Sequence, residues 1–266
     1  MDVTAILYAL LVLGALGLVF GIVLGIADKK FFVPADERVE RIRACLPGAN
    51  CGACGFAGCD AYADAVASGK VLPNCCPVGG SAAACAIGDV IGCAVEVSEP
   101  VRARVLCQGT TSEAVQKYEY DGYKSCRAAI GIAGGPKQCR FSCVGLGDCA
   151  AACPFDAITM RDGIANIDEG LCVGCGVCVD VCPRNVIKLL PIMKNQVIVR
   201  CRNTDSGREA RAVCKKACIA CGRCEKACKF DAIKVIDGCA VIDQQKCTRC
   251  NECVAVCPTK CITVGS

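Results

Sequence analysis

The sequence predicts an α+β chain built in series: a single N-terminal transmembrane helix, a small cysteine-rich domain, then two tandem copies of a two-strand, two-helix unit. Three observations predict it. Residues 3–27 pass without a charge. Thirty of the 266 residues are cysteine and none is histidine. Laid over itself with Cys153 on Cys228, the chain matches CPFDAITMRDGIANIDEGLCVGCGVC to CKFDAIKVIDGCAVIDQQKCTRCNEC.

The apolar run exceeds the roughly 20 residues a helix needs to cross a hydrocarbon core. A cleaved signal peptide would want a positive N-terminal flank, whereas this chain begins Met1-Asp2. The far flank carries Lys29, Lys30, Arg38, Arg41 and Arg43, which places the N-terminus outside and the cysteine-rich body in the cytoplasm. Gly17, Gly21 and Gly25 share one helix face and would permit close helix–helix approach, or are ordinary membrane-helix glycines.

A short amphipathic helix is expected to start at Pro34-Ala35-Asp36 and run to about Ala44. Then comes LPGANCGACGFAGC, with Cys51, Cys54 and Cys59 spaced C-x2-C-x4-C and Cys76 closing the set. Four cysteines in so short a stretch fit one [4Fe–4S] cluster, with zinc as the rival. Gly52, Gly55 and Gly58 let backbone amides approach the sulfurs. Cys75 competes with Cys76 as fourth ligand.

In the duplicated half, Cys172, Cys175, Cys178 and Cys182 before Pro183 read C-x2-C-x2-C-x3-C-P, and Cys247, Cys250, Cys253 and Cys257 before Pro258 repeat the pattern. This is the spacing of bacterial-type 2[4Fe–4S] ferredoxin domains, in which the fourth cysteine serves the neighbouring cluster. Cross-ligation gives one set of Cys172, Cys175, Cys178 and Cys153, and another of Cys139, Cys143, Cys149 and Cys182. The second copy gives Cys247, Cys250, Cys253, Cys228 and Cys218, Cys221, Cys224, Cys257. In the first copy Leu146 stands where the second has Cys221, so Cys139 is expected to supply the missing ligand; a three-iron cluster is the alternative. In each copy Asp-Ala-Ile opens a strand, a turn follows at Asp162-Gly163 or Asp237-Gly238, and a brief helix follows each cysteine loop.

Twenty cysteines are thus assigned to five clusters. Cys107 and Cys201 each follow a strand-like run just before a ferredoxin unit. With Cys126 and Cys214 they are the candidate set for a sixth cluster, or else are buried free thiols. Cys45, Cys75, Cys85, Cys93, Cys239 and Cys261 are left as non-ligands. The expected organisation is an anchor at 1–27, a [4Fe–4S] domain at 28–95, a connector at 96–135, a first ferredoxin domain at 136–190, a basic connector at 191–213 and a second ferredoxin domain at 214–266.

Cysteine at this density in a short secreted chain would suggest a disulfide scaffold, but the spacings here follow cluster ligation. The absence of histidine removes Cys2His2 zinc, Rieske centres, His-ligated haem and His-based acid–base catalysis. No glycine-rich nucleotide loop follows a strand, so no NAD or flavin site is expected on this chain. Net charge is +4, yet residues 200–229 hold nine basic side chains against Asp205, Glu209 and Glu225. Without aromatic interleaving that run argues against nucleic acid. It reads as a docking face for an acidic protein, or as a solvated face.

An N-terminal span, then LPGANCGACGFAGC with Cys76, then ferredoxin repeats, resembles the B subunit of the Rnf complex over essentially the whole length. The resemblance is to the longer form with two ferredoxin units. It implies an electron-transfer subunit of a membrane-bound ferredoxin:NAD+ oxidoreductase that translocates Na+ or H+. Such a subunit would receive electrons from soluble reduced ferredoxin and pass them to the membrane subunits, with the flavin and NAD+ sites on partner subunits. A membrane-tethered polyferredoxin serving a dehydrogenase or hydrogenase without ion coupling would share the cysteines, and a structural zinc protein is the third reading.

Overall fold

A computed structural model of the chain describes residues 3–31, 36–95 and 99–265. Helix α1, Val3–Phe31, outruns the uncharged stretch and carries Lys29 and Lys30 in its last turn. Its segment from Leu10 to Lys30 is 21 residues long. At 1.5 Å per residue this spans about 31 Å, against a hydrocarbon core of about 30 Å. A Cβ added at Gly17, Gly21 or Gly25 would meet nothing within 4 Å, so that face is open.

The next domain is three helices around a small core. Helix α2, Glu37–Cys45, is capped by the Asp36 carboxylate, which accepts from the Arg38 amide. The expected earlier start at Pro34 and Ala35 lies outside the described residues. Helix α3, Cys59–Ala67, and helix α4, Gly80–Ile91, pack on α2 through Ile42, Tyr62 and Ile87, all fully buried. The Tyr62 hydroxyl donates to the Leu72 carbonyl at 3.0 Å and accepts from the Cys75 amide at 3.2 Å. One aromatic ring therefore fixes the loop that carries Cys75 and Cys76.

The first repeat unit begins inside the segment expected as a connector. Strand β1, Val101–Val105, is followed by helices α5, Cys126–Gly131, and α6, Asp148–Ala151. Then come strands β2, Ile158–Arg161, and β3, Ile164–Ile167, helix α7, Val177–Val181, and strand β4, Ile187–Pro191. The second unit opens with β5, Val197–Val199, and α8, Gly207–Val213. It continues through α9, Arg223–Ala227, β6, Ile233–Ile236, β7, Cys239–Ile242, α10, Glu252–Ala255, and β8, Ile262–Val264.

Each unit has two antiparallel two-stranded sheets, β2–β3 with β1–β4 in the first and β6–β7 with β5–β8 in the second. Strands β2, β3 and β4 and helices α6 and α7 recur, at the offset that lays Cys153 on Cys228, as β6, β7, β8, α9 and α10. Both hairpins turn as the sequence predicts. Asp162 and Gly163 have φ of 48° and 72°, and Asp237 and Gly238 have 48° and 79°. A primed two-residue turn needs positive φ at both positions. The segments expected as connectors, 96–135 and 191–213, each supply one strand of a sheet, β1 and β5.

Such short sheets bury little side-chain area, and the cores include the cysteines themselves. Ala103, Ile158, Val186 and Ile187 pack with Cys143, Cys149, Cys172 and Cys178 in the first unit. Val197, Ile233 and Ile262 pack with Cys218, Cys224 and Cys253 in the second. A core made partly of metal ligands couples metal binding to folding.

Candidate iron–sulfur sites

The cysteine loops gather thiols around small voids. In the second unit Cys228, Cys247, Cys250 and Cys253 line a cavity of about 20 Å3. Cys218, Cys221, Cys224 and Cys257 line another of about 10 Å3, with Cys261 beside them. These are the two sets that the spacing predicts for this unit. In the first unit Cys153, Cys172 and Cys178 pack together. Burial pushes the Cys178 thiol up to about 12, with Cys172, Cys175 and Cys153 close enough to add to the effect. The backbone of this loop is tightly bounded: Gly174 has φ of 73°, and a Cβ there would collide with the Val101 carbonyl.

The other set of the first unit differs from the expectation. Its cavity, about 20 Å3, is lined by Cys126, Cys143, Cys149 and Cys182, not by Cys139. The cause is Asp148, the residue before Cys149. Its carboxylate accepts from the Cys126 amide at 2.8 Å, the Arg127 amide at 3.1 Å and the Ser125 hydroxyl at 3.1 Å. These three bonds anchor the start of α5 beside Cys149, and α5 packs Ala129 against Val144 and Leu146. Cys126 thereby fills the gap that Leu146 leaves. Burial, then Cys143 and Cys126, pushes Cys149 up to about 12.

Cys139 is placed instead with Cys107, Cys201 and Cys214, around a further cavity of about 20 Å3 between the two units. The candidate set Cys107, Cys126, Cys201 and Cys214 thus exchanges one member. In the N-terminal domain, burial raises the Cys76 thiol, and Cys54 and Cys59 lie near enough to add to the shift. The Cys76 sulfur accepts from the Gly79 amide at 3.4 Å, while the Cys75 thiol turns toward the Asn74 side chain at 3.9 Å. Asn50 holds the front of the loop by accepting from the Cys59 amide at 2.8 Å.

Several groups around the sulfurs were not singled out from the sequence. Lys137 is buried, and its Nζ donates to the carbonyls of Gly109, Cys143 and Gly163 at 2.7, 2.9 and 2.6 Å. Burial lowers its pKa while the thiols of Cys143, Cys107, Cys214 and Cys139 oppose that shift. Cys239 and Cys261, left as non-ligands, stand beside ligand sulfurs, and the Cys239 thiol donates to the Cys201 carbonyl at 3.2 Å. Bonds from Cys239 and Cys261 lower Cys218, and a bond from Cys261 lowers Cys257 to about 5. The Cys257 and Cys261 sulfurs are 3.6 Å apart.

The donor sets suit a [4Fe–4S] group: each offers four thiols, most of them buried or half-buried. A tetrahedral zinc site with Zn–S near 2.3 Å needs sulfurs about 3.8 Å apart. Among the described residues no group of three or more closes to the spacing of a single ion. A cavity of about 200 Å3 lies between the units, is lined by Arg104, Glu169 and Arg200, and has no thiol in its wall.

Repeated ferredoxin units behind a membrane-length helix define a membrane-associated polyferredoxin, a protein that carries electrons through iron–sulfur centres. Comparison with known families agrees: an Fe-S cluster family model matches residues 46–78, the 4Fe-4S dicluster domain matches 138–186 and 171–232, and the 4Fe-4S binding domain matches 240–263. The B subunit of the Na(+)-translocating ferredoxin:NAD(+) oxidoreductase complex of Acetobacterium woodii is 47% identical over 97% of this chain and 78% of its own length. The B subunit of the ion-translocating oxidoreductase complex of Methanosarcina acetivorans is 40% identical over 97% and 98%. The B subunit of the proton-translocating ferredoxin:NAD(+) oxidoreductase complex of Clostridium ljungdahlii is 40% identical over 97% and 92%. The chain belongs to this family of B subunits of ion-translocating oxidoreductases, the Rnf type, and is an electron-transfer subunit of a multi-subunit membrane complex.

Proposed function

We propose that this chain accepts electrons from a soluble reduced ferredoxin and relays them through five [4Fe–4S] clusters toward the membrane subunits, with its N-terminus outside and its cluster domains in the cytoplasm. The ligand sets are Cys51, Cys54, Cys59, Cys76; Cys153, Cys172, Cys175, Cys178; Cys126, Cys143, Cys149, Cys182; Cys218, Cys221, Cys224, Cys257; and Cys228, Cys247, Cys250, Cys253. A bound cluster supplies a one-electron store whose potential follows burial, charge and hydrogen bonds to sulfur.

The observation that carries the reading is that neighbouring sets adjoin one another on either side of the junction between the two units. Burial raises the Cys175 thiol first, and Cys51 of the N-terminal set is near enough to add to the shift. Cys149 and Cys178 feel one another across the two sets of the first unit. In the second unit Cys218, Cys224 and Cys253 share one core. The N-terminal set therefore adjoins the two sets of the first unit, and the two sets of the second unit adjoin each other.

The basic segment divides in two. Arg200 and Arg202 turn inward, Arg200 donating to the Val105 carbonyl at 3.2 Å and Arg202 to the Asn185 carbonyl. Arg208, Arg211, Lys215, Arg223, Lys226 and Lys229 lie toward solvent, and Arg223 and Lys226 flank Cys224 on α9, close to the exposed Cys221. This is the docking face for an acidic ferredoxin. Reversing charge at Arg211, Lys215 and Lys216 should slow electron entry by about tenfold or more at low salt and flatten its salt dependence. Stopped-flow reduction by ferredoxin reads both, and an unchanged rate and salt profile rejects the face. Purification through a tag on this chain should recover a flavin-containing membrane complex. A lone chain active with a soluble dehydrogenase would overturn the reading.

A further inference from the structure

We propose that Cys107, Cys139, Cys201 and Cys214 ligate a sixth [4Fe–4S] cluster, one that joins the two ferredoxin units into a single conductor. The inference rests on the relay reading above and goes beyond its five sets. Without this centre the row is interrupted between the first unit and the second.

The place is built like the others. Its cavity of about 20 Å3 has the size of those of the Cys126 and Cys228 sets and likewise presents four thiols. Three of its four cysteines are buried and the fourth, Cys201, is half-buried. Every sulfur receives hydrogen bonds. Cys107 accepts from the amides of Gly109 and Cys143 at 3.3 and 3.4 Å. Cys201 accepts from those of Asn203 and Cys218 at 3.5 and 3.2 Å. Cys139 accepts from the Phe141 amide and from Asn203 Nδ2, the latter at 3.6 Å, and Cys214 from the Lys216 amide. A thiol is a weak acceptor and a metal-bound thiolate a strong one, so amides converging on four sulfurs suit ligation better than the packing of free thiols.

The arrangement is also paired across the duplication. Cys139 and Cys214 are equivalent positions of the two copies, each bonded by the amide two residues on. Cys107 and Cys201 each follow the strand that opens its unit, each accepts from the amide two residues on, and each accepts from a cysteine of the adjoining set. Those two donors, Cys143 and Cys218, are themselves equivalent positions. One peptide group thus separates this quartet from the set on either side. The junction is closed by the Ala114–Cys214 bridge, by the Val115 amide to the Val213 carbonyl at 3.0 Å and by the Lys215 amide to the Glu113 carbonyl at 2.9 Å. Arg200 reaches across to the carbonyls of Val105 and Cys107. Buried Lys137 ties down the backbone next to two of these cysteines, its Nζ donating to the Gly109 and Cys143 carbonyls. Each transfer through the quartet moves one electron, oxidising one bound centre and reducing its neighbour, with no bond made or broken. The electrons are those of the reduced ferredoxin.

Native mass spectrometry of the full chain, reconstituted with iron and sulfide under anaerobic conditions, counts the clusters directly. Six clusters, about 24 iron atoms, are expected for the unaltered chain, and five, about 20, for Cys139→Ser with Cys214→Ser. The EPR signals of the other five should persist in that variant. A ceiling of five in the unaltered chain overturns the proposal and leaves the relay intact. So does a count of six that survives the double substitution, or one zinc ion lost with it. Should the variant fail to fold, the count on the unaltered chain still decides. A chain that takes up no clusters at all fails the relay reading itself.

Discussion

The two ferredoxin units are copies at a fixed offset, yet they complete the same four-thiol set by different routes. In the second unit the missing corner is filled locally by Cys221, three residues from both Cys218 and Cys224. In the first that position is Leu146, and the thiol arrives from Cys126, far upstream, on a helix tied down by Asp148. At the place of Asp148 the second unit has Arg223, which cannot accept a hydrogen bond. Cys201 matches Cys107 in the fold, each two residues past the strand that opens its unit, and both line the quartet between the units. A ligand set is therefore inherited as a place in space, while the residue that fills it depends on which backbone a neighbouring side chain holds there.

The largest effect should come from removing the corner that distinguishes the units. Cys126→Ser should cost the first unit one iron or the whole centre, and reduced or oxidised samples should acquire the EPR signal of a three-iron cluster. Cys139→Ser should leave that centre untouched. Adding Leu146→Cys to Cys126→Ser should rebuild the set in the manner of the second unit. If Cys139→Ser produces the loss and Cys126→Ser does not, spacing rather than anchoring chooses the ligand.

Asp148→Ala tests the anchor itself. It strips the acceptor from three donors, and a bond to a charged group is worth about 1.5–3 kcal/mol, so a loss of about 2–3 kcal/mol in the first unit is expected. Denaturant unfolding followed by cluster absorbance reads it. Arg223→Ala at the matching place should stay within about 0.5 kcal/mol, as an exposed substitution does. Equal losses at the two positions would mean that Asp148 serves only the local helix end.

Much of this architecture was legible in the sequence, because it is written in local spacing. The C-x2-C-x2-C loops, the Asp-Gly hairpin turns and the fixed offset between the copies are all signals carried by short stretches of chain, and the structure places the strands and brief helices where they predict. The exchange of Cys126 and Cys139 was not legible, because three long-range hydrogen bonds to one carboxylate decide it. The substitution of Arg223 for Asp148 and of Cys221 for Leu146 at the offset was the signal that pointed there. The strands β1 and β5 were legible as strand-like runs before Cys107 and Cys201, but their place in the ferredoxin sheets was hidden, since each pairs with a strand distant in the chain, Val101 with Pro191 and Val197 with Val264.

The smallest effect concerns what surrounds the sulfurs once the sets are complete. Cys261 lies beside the Cys218 set, 3.6 Å from the Cys257 sulfur. Its counterpart at the offset is Val186, which lines the matching cavity of the first unit and has nothing to donate. Hydrogen bonds to the sulfurs raise the potential because they favour the more negative, reduced state. Cys261→Val should therefore move the Cys218 centre to a more negative potential, toward its counterpart. If the lost bond contributes about 1 kcal/mol differentially, the shift for one electron is about 40 mV. Val186→Cys should move the Cys182 centre the opposite way by a similar amount. Redox titration followed by EPR measures both. An unmoved potential with unchanged iron content would mean that the S–H group of Cys261 only fills space, as the valine does, and that the two units differ in ligand supply alone.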